Sequence, residues 1–263
     1  ALRRPDYQST LEYKRLVNFA ETTRKNQEIT SIVNLGIGGS DLGPKMVTKA
    51  LMEYHDGPAC HFVGNICPTD LHDALTKCDP QKTLFIITSK SFTTSETLTN
   101  ATLARHWLVQ HGVDVDKALV AVTASSLRAQ EWGIDSGNIF SCAEGVGGRY
   151  SLWSSVGLSA MISIGSTNFS EMLAGAHAMD CHIQQSELGQ NIGIILGLLR
   201  IWHRNYLHRS AYGLIPYGER LNHFPAWAQQ LEMESNGKYV DRHGRKLQRP
   251  AGPLILGAPG TSA

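Results

Sequence analysis

The sequence predicts an α/β protein: a parallel sheet sandwiched by helices, then a helical connector and the start of a second α/β unit. Three observations carry that expectation. Apolar, β-branched runs of strand length alternate with helical segments through the first half of the chain, as they do in parallel sheets covered on both sides. The run TLFIIT at 83–88 has no polar face and so reads as a strand buried on both faces. After Gly148-Arg149 the pattern turns helical, with little strand.

In chain order, residues 11–25 carry Leu11, Leu16, Val17 and Phe19 among charges and read as a surface helix closing one side of the core. Strands are expected at 29–35, 60–63, 83–88, 118–123 and 138–142, with helices at 41–53, 69–76, 96–110 and 125–132 between them. Helix is expected over 151–164 and most of 171–207, and a last strand at 254–256. A boundary near Gly165 divides a domain at 1–165 from the connector and incomplete second unit at 166–263.

Composition narrows the function. The chain has 263 residues, 42% of them hydrophobic, enough for one large domain or two modest ones. Lys and Arg number 24 against 23 Asp and Glu, so no excess of positive charge argues for nucleic acid or a membrane surface, and a small substrate is the default partner. The longest apolar run, 192–199, ends at Arg200, short of the roughly 20 residues a membrane span needs. The 5 cysteines form no C-x-x-C pair and fit reduced thiols of a cytoplasmic protein. ALRRPDYQST at the start has no initiating Met or apolar signal core, and GAPGTSA at the end stops in a glycine turn, so both ends read as cut from a longer chain.

Four stretches hold chemistry. In TLFIITSKSFTTSET a strand runs into Ser89, Lys90, Ser91, Thr93, Thr94 and Ser95 and then into a helix. Hydroxyls and an ammonium at a helix N-terminus suit a phosphate monoester, although Thr93-x-x-Glu96 also reads as a simple capping box. GIGGSDLG at 36–43 fails both the G-x-G-x-x-G and the P-loop spacings. Gly39 and Ser40 can still bring backbone and hydroxyl close to a ligand, or the turn serves only to pack helix on strand. In GGRYS, Arg149 follows another strand and emerges at the same sheet edge, where it can stabilise an oxyanion or form a surface ion pair.

In PAWAQQLEMESNGK, Pro225 starts a helix that Asn236-Gly237 ends, and Trp227, Gln230, Leu231 and Glu234 share one stripe. Burial on that stripe, near the negative end of the helix dipole, would make Glu234 a stronger base; a solvated glutamate near a frayed end is the other reading. Metal is not expected: His106 and His111, His177 and His182, and His203 and His208 are spaced so that a helix turns each pair about 140° apart.

Taken together, NLGIGGSDLGP, TSKSFTTSETLTN, GGRYSLWS, LEMESNGKYVD and GAPGT, in that order, resemble the phosphoglucose (glucose-6-phosphate) isomerase family of the sugar-isomerase (SIS) fold, a flavodoxin-like sheet. The resemblance runs from Leu35 to Thr261. It implies interconversion of glucose 6-phosphate and fructose 6-phosphate through an enediolate, with no metal or organic cofactor, in a cytoplasmic homodimer of glycolysis and gluconeogenesis.

Carried over by motif, Ser89, Lys90, Ser91 and Thr94 would hold the phosphate, with Gly39 and Ser40 on the sugar side and Gln230 touching substrate. Ser91 stands where threonine is common. Arg149 would stabilise the enediolate and Glu234 would carry the proton. The family's histidine after GAPGT and its lysine near the C-terminus have no counterpart here, and Ala263 stands where glycine is usual, so the resemblance implies little or no activity in these 263 residues alone. A non-catalytic sugar-phosphate sensor of the same fold, or an isomerase that also takes mannose 6-phosphate, would share these motifs.

Overall fold

The computed structural model of the chain describes residues 3–260. It divides into two compact units, one ending at Glu171 and the other beginning at Met172, a division that falls within the helix Ser166–Gln185.

The first unit is built on five parallel strands: β1 (Ser31–Leu35), β2 (Ala59–Val63), β3 (Thr83–Thr88), β4 (Leu119–Thr123) and β5 (Ile139–Ser141), in the order β2-β1-β3-β4-β5. β1, β3 and β4 are buried along their whole length, which is why their sequences lack a polar face. The pleat divides them between two cores. Val33, Leu35, Phe85, Ile87 and Leu119 pack with Ala101, Ala104 and Leu108 of the helix Ser95–Gln110. On the other side the helix Leu11–Lys25 reaches β5, with the Phe19 ring 4.9 Å from that of Phe140. The expected parallel sheet between helical layers is thus the observed one.

Several boundaries moved for local reasons. The helix expected over 41–53 is Leu42–Ala50 followed by the 3₁₀ turn Met52–Tyr54. The strand expected from 118 starts at Leu119, because Val115–Ala118 forms a helical turn capped by the Asp114 side chain. The helix expected over 151–164 opens instead as two 3₁₀ turns, Gly148–Trp153 and Ser155–Gly157, before Leu158–Ile164. Ser154 breaks it: its backbone is extended, and its hydroxyl donates to the Ser151 carbonyl at 2.6 Å.

The second unit contains the helix Ile192–Ile201, the π turn Trp202–Tyr206, β6 (Ala211–Gly213), the helix Phe224–Gln229, the π turn Gln230–Glu234 and β7 (Leu254–Leu256). β6 and β7 pair in parallel, Tyr212 opposite Ile255. β6 was not expected, since three residues with no β-branched side chain give no local signal; its pairing with β7 makes it a strand.

Candidate active site

The strand order places the topological switch point at β1 and β3, whose neighbours lie on opposite sides of the sheet. Ligands of open parallel sheets collect outside the carboxyl ends of strands at such a point. A cavity of ≈ 660 Å³ lies there, lined by Ser40 after β1, by Ser89, Lys90, Ser91 and Thr94 after β3, and by Ser125 and Arg128 after β4.

The hydroxyl turn after β3 is held from below. The Ser89 amide continues the ladder to Val122 O at 3.0 Å, and Lys90 O accepts from the Ala124 amide at 2.9 Å and from the Thr123 hydroxyl at 3.1 Å. Phe92 adopts the left-handed conformation, φ 50°, which a bulky residue takes up only at a cost. Its ring is buried in the core edge-on to Trp132, and that packing offsets the strain. The loop therefore reverses at Phe92 while its polar residues stay at the surface of the cavity.

Within the turn, Ser89 Oγ lies 3.1 Å from Thr94 Oγ1, and Ser91 Oγ lies 2.6 Å from Thr93 Oγ1. Thr94 is the N-cap of Ser95–Gln110, yet its side chain does not bond the helix's first amides. The capping box suggested by Thr93 and Glu96 does not form either, because the Thr93 hydroxyl pairs with Ser91 and Glu96 accepts from the Ser95 hydroxyl. These hydroxyls are not consumed in ending the helix. One turn further in, Thr97 lines the same cavity; its buried Oγ1 has no hydrogen-bond partner among the described residues. A hydroxyl in that position is a ready donor for an anionic ligand.

The loop after β1 is tied to the same place. Gly38 has φ 59°, in the glycine-favoured region, and Asn34, buried inside β1, donates to Ser40 O at 3.1 Å while accepting from the Thr88 hydroxyl at 3.3 Å. Gly39 is needed for a reason other than ligand approach. A Cβ there would fall inside the backbone of Gly148 and Arg149, so the absence of a side chain lets the loops after β1 and β5 touch. Next to Ser40, Asp41 is buried, and its Oδ1 has no partner among the described residues. Burial pushes the Asp41 carboxyl up to about 6, with Lys45 opposing and Asp70 adding to the effect.

Lys90 Nζ donates to Val146 O at 3.1 Å, tying the turn to the loop that carries Arg149. Arg149 is half-buried in the 3₁₀ turn Gly148–Trp153 and lies outside the lining of the cavity.

Gln230 and Glu234 belong to the second unit, where the structure corrects the expected stripe. Residues 230–234 form a π turn, whose i to i+5 bonding inserts a residue and rotates everything after it. Trp227, Gln230 and Leu231 are partly buried, but Glu234 is exposed, so the burial expected to sharpen it as a base is not found in this unit. Glu232 takes the inner position, 2.5 Å from Arg200, and its Oε1 accepts from Asn236 Nδ2 at 3.0 Å. The helical run does stop before Gly237 as its sequence suggests, with the Gly237 amide donating to Met233 O at 3.0 Å. Among the described residues no group of 3 or more His, Cys, Asp or Glu side chains is placed to hold a metal, and no helix is long and apolar enough to cross a membrane.

The sequence reading missed Asn34, Thr97, Ser125 and Arg128. A usable signal existed for the last two: Ser125-Ser126 follows a strand just as the other loops do, and parallel strands deliver all such loops to one edge.

A doubly wound parallel sheet of this order, covered by helices on both faces, defines an α/β domain of the SIS fold. The fold of tagatose-6-phosphate ketose/aldose isomerase from Escherichia coli agrees, with TM-score 0.56 at 16% identity, covering 97% of this chain and 64% of that one. Residues 14–263 match the family model of phosphoglucose isomerase, and the chain belongs to that family. It is 50% identical over 241 residues to a glucose-6-phosphate isomerase of Chlorobium phaeobacteroides, covering 90% of this chain and 43% of the relative. It is 47% identical over 266 residues to one of Bartonella bacilliformis, covering 98% and 48%. The crystal structure of a glucose-6-phosphate isomerase from Chlamydia trachomatis superposes with TM-score 0.87 at 33% identity, covering 95% of this chain and 48% of that one. The chain thus spans a little under half the length of these relatives.

Proposed function

We propose that this chain serves the interconversion of glucose 6-phosphate and fructose 6-phosphate. The observation that carries the reading is the convergence of Ser40, Ser89, Lys90, Ser91, Thr94 and Thr97 on one cavity, in a chain of the phosphoglucose isomerase family. A cavity of ≈ 660 Å³ is within the range of about 300 to 1,000 Å³ usual for small-molecule sites. Half of its lining residues, 7 of 14, carry hydroxyls, which suits an anion with several acceptor oxygens better than an apolar ligand.

In this reading the hydroxyl turn grips the phosphate, and Gly39 and Ser40 border the sugar. Isomerisation removes the proton from C2 of the open-chain aldose and returns one to C1, while the C1 carbonyl oxygen, as it gains negative charge, takes up a proton and the C2 hydroxyl gives one up to become the ketone. That needs a base positioned along one edge of the substrate and a cation at the oxygens. Glu234 supplies the base and Arg149 the cation, with Gln230 in contact with the substrate. No metal or organic cofactor enters these steps. The reading extends to a homodimer acting in the cytoplasm in glycolysis and gluconeogenesis, and to low activity in the 263 residues by themselves. The support for Glu234, Gln230 and Arg149 is the motif each stands in.

Glu234→Gln, made in the protein at its relatives' full length, tests this. Turnover should fall by a factor on the order of 10² to 10⁴, the usual contribution of a positioned base, with fructose 6-phosphate binding retained. Exchange of the substrate C2 hydrogen with D₂O should fall in parallel. A Glu234→Gln protein that isomerises at the parent rate rules out the assignment, and binding without turnover in the parent itself identifies a sugar-phosphate sensor instead.

A further inference from the structure

The four charged side chains on the wall of the switch-point cavity cancel: Lys90 and Arg128 against Glu131 and Glu144. A phosphate monoester carries a charge of about −1.5 to −2 near neutral pH. A wall of zero net charge does not attract such a group by its summed field, so what matters is which charges stand at the hydroxyl turn. Without Arg128 the wall would be net negative and would repel the ligand.

Arg128 lies on the helix Ser126–Trp132, which follows β4, next to β3 in the sheet. Its Nη1 donates to Ser91 O at 3.0 Å, so the guanidinium is fastened to the hydroxyl turn itself. That bond occupies one of about five N–H donors, and among the described residues no carboxylate pairs with Arg128. The ammonium of Lys90, by contrast, already donates to Val146 O. The guanidinium is therefore the cation on this wall with the most donors left to offer, and its planar fork matches two oxygens of a phosphate.

We propose that Arg128 is a further phosphate anchor of this site, contacting the anion directly while its bond to Ser91 O holds the turn in register. The proposal rests on the reading of the cavity as a sugar-phosphate site and adds a residue that none of the motifs contains.

The test is titration calorimetry of the 263-residue chain with inorganic phosphate and with fructose 6-phosphate, for the parent, Arg128→Gln and Arg128→Lys. The expected result is a loss of roughly tenfold in affinity for both ligands in Arg128→Gln, the usual size of a charge-assisted hydrogen bond, with partial recovery in Arg128→Lys. Circular dichroism melts of all three should coincide. If the parent binds both ligands and Arg128→Gln binds them equally well, the anchor is overturned and the cavity reading stands. If Arg128→Lys binds as weakly as Arg128→Gln and both melt earlier than the parent, Arg128 is a structural brace and the proposal is likewise overturned. If the parent binds neither ligand, the cavity reading falls and Arg128 with it.

Discussion

Replacing Asp41 with asparagine isolates an electrostatic cost buried next to Ser40, beside the site. Asp41 is 6% exposed, its Oδ1 has no partner among the described residues, and burial moves the carboxyl from 3.8 to about 6. The sign follows from proton binding. Below pH 3.8 the group is protonated in folded and unfolded chains alike, and it adds nothing to the pH dependence. Between 3.8 and about 6 the unfolded chain releases the proton that the folded chain still holds, so stability falls as pH rises; above that it levels off. The full penalty is roughly 3 kcal/mol, of which about 2 kcal/mol develops between about pH 4.5 and pH 7.5.

Asp41→Asn should therefore gain on the parent by about 2 kcal/mol in unfolding free energy over that interval, whatever constant offset the amide introduces. Urea unfolding of both proteins at several pH values, followed by tryptophan fluorescence, reads the difference directly. In the folded chain Lys45 opposes and Asp70 adds to the effect of burial, which is the largest cause, so they alter the size of the trend before its direction. A difference between the two proteins that stays flat to within about 0.5 kcal/mol from pH 4.5 to 7.5, or that runs the other way, refutes the argument from burial.

Three further outcomes follow from single contacts. Gly39→Ala should force the loops after β1 and β5 apart, costing roughly 1 to 3 kcal/mol in denaturant unfolding and weakening phosphate binding, because its Cβ has no room against Gly148 and Arg149. Thr97→Val removes a buried hydroxyl that has no partner among the described residues; the ligand-free chain should be as stable as the parent or more so, by up to about 1 kcal/mol, while its affinity for phosphate falls in the same calorimetric titration. Glu232→Gln should destabilise the second unit by only about 1 kcal/mol, since Arg200, its partner at 2.5 Å, keeps 35% of its side-chain surface in solvent; raising the salt concentration should shrink the difference.

What could be read from the chain alone was whatever is encoded over a few consecutive residues. The runs 83–88 and 254–256 and the helix 11–25 matched the observed β3, β7 and Leu11–Lys25 residue for residue, because apolar runs and amphipathic stripes fix their own ends. Ser89, Lys90, Ser91 and Thr94 were recognisable for the same reason, as polar residues crowded between a strand and a helix. The order β2-β1-β3-β4-β5 was not legible, and with it went Ser125 and Arg128, which enter the cavity because β4 lies beside β3 in space. Gly39 was singled out, but the Gly148 and Arg149 backbone that demands a glycine lies more than a hundred residues away. The stripe from Trp227 to Glu234 assumed 3.6 residues per turn throughout, and a π turn at Gln230–Glu234 put Glu232 inside and Glu234 in solvent. Sequence determined which groups the chain owns and, to within a residue or two, where most of its short elements lie; tertiary structure decided which of them meet, because strand order, backbone contact and burial depend on residues far apart along the chain.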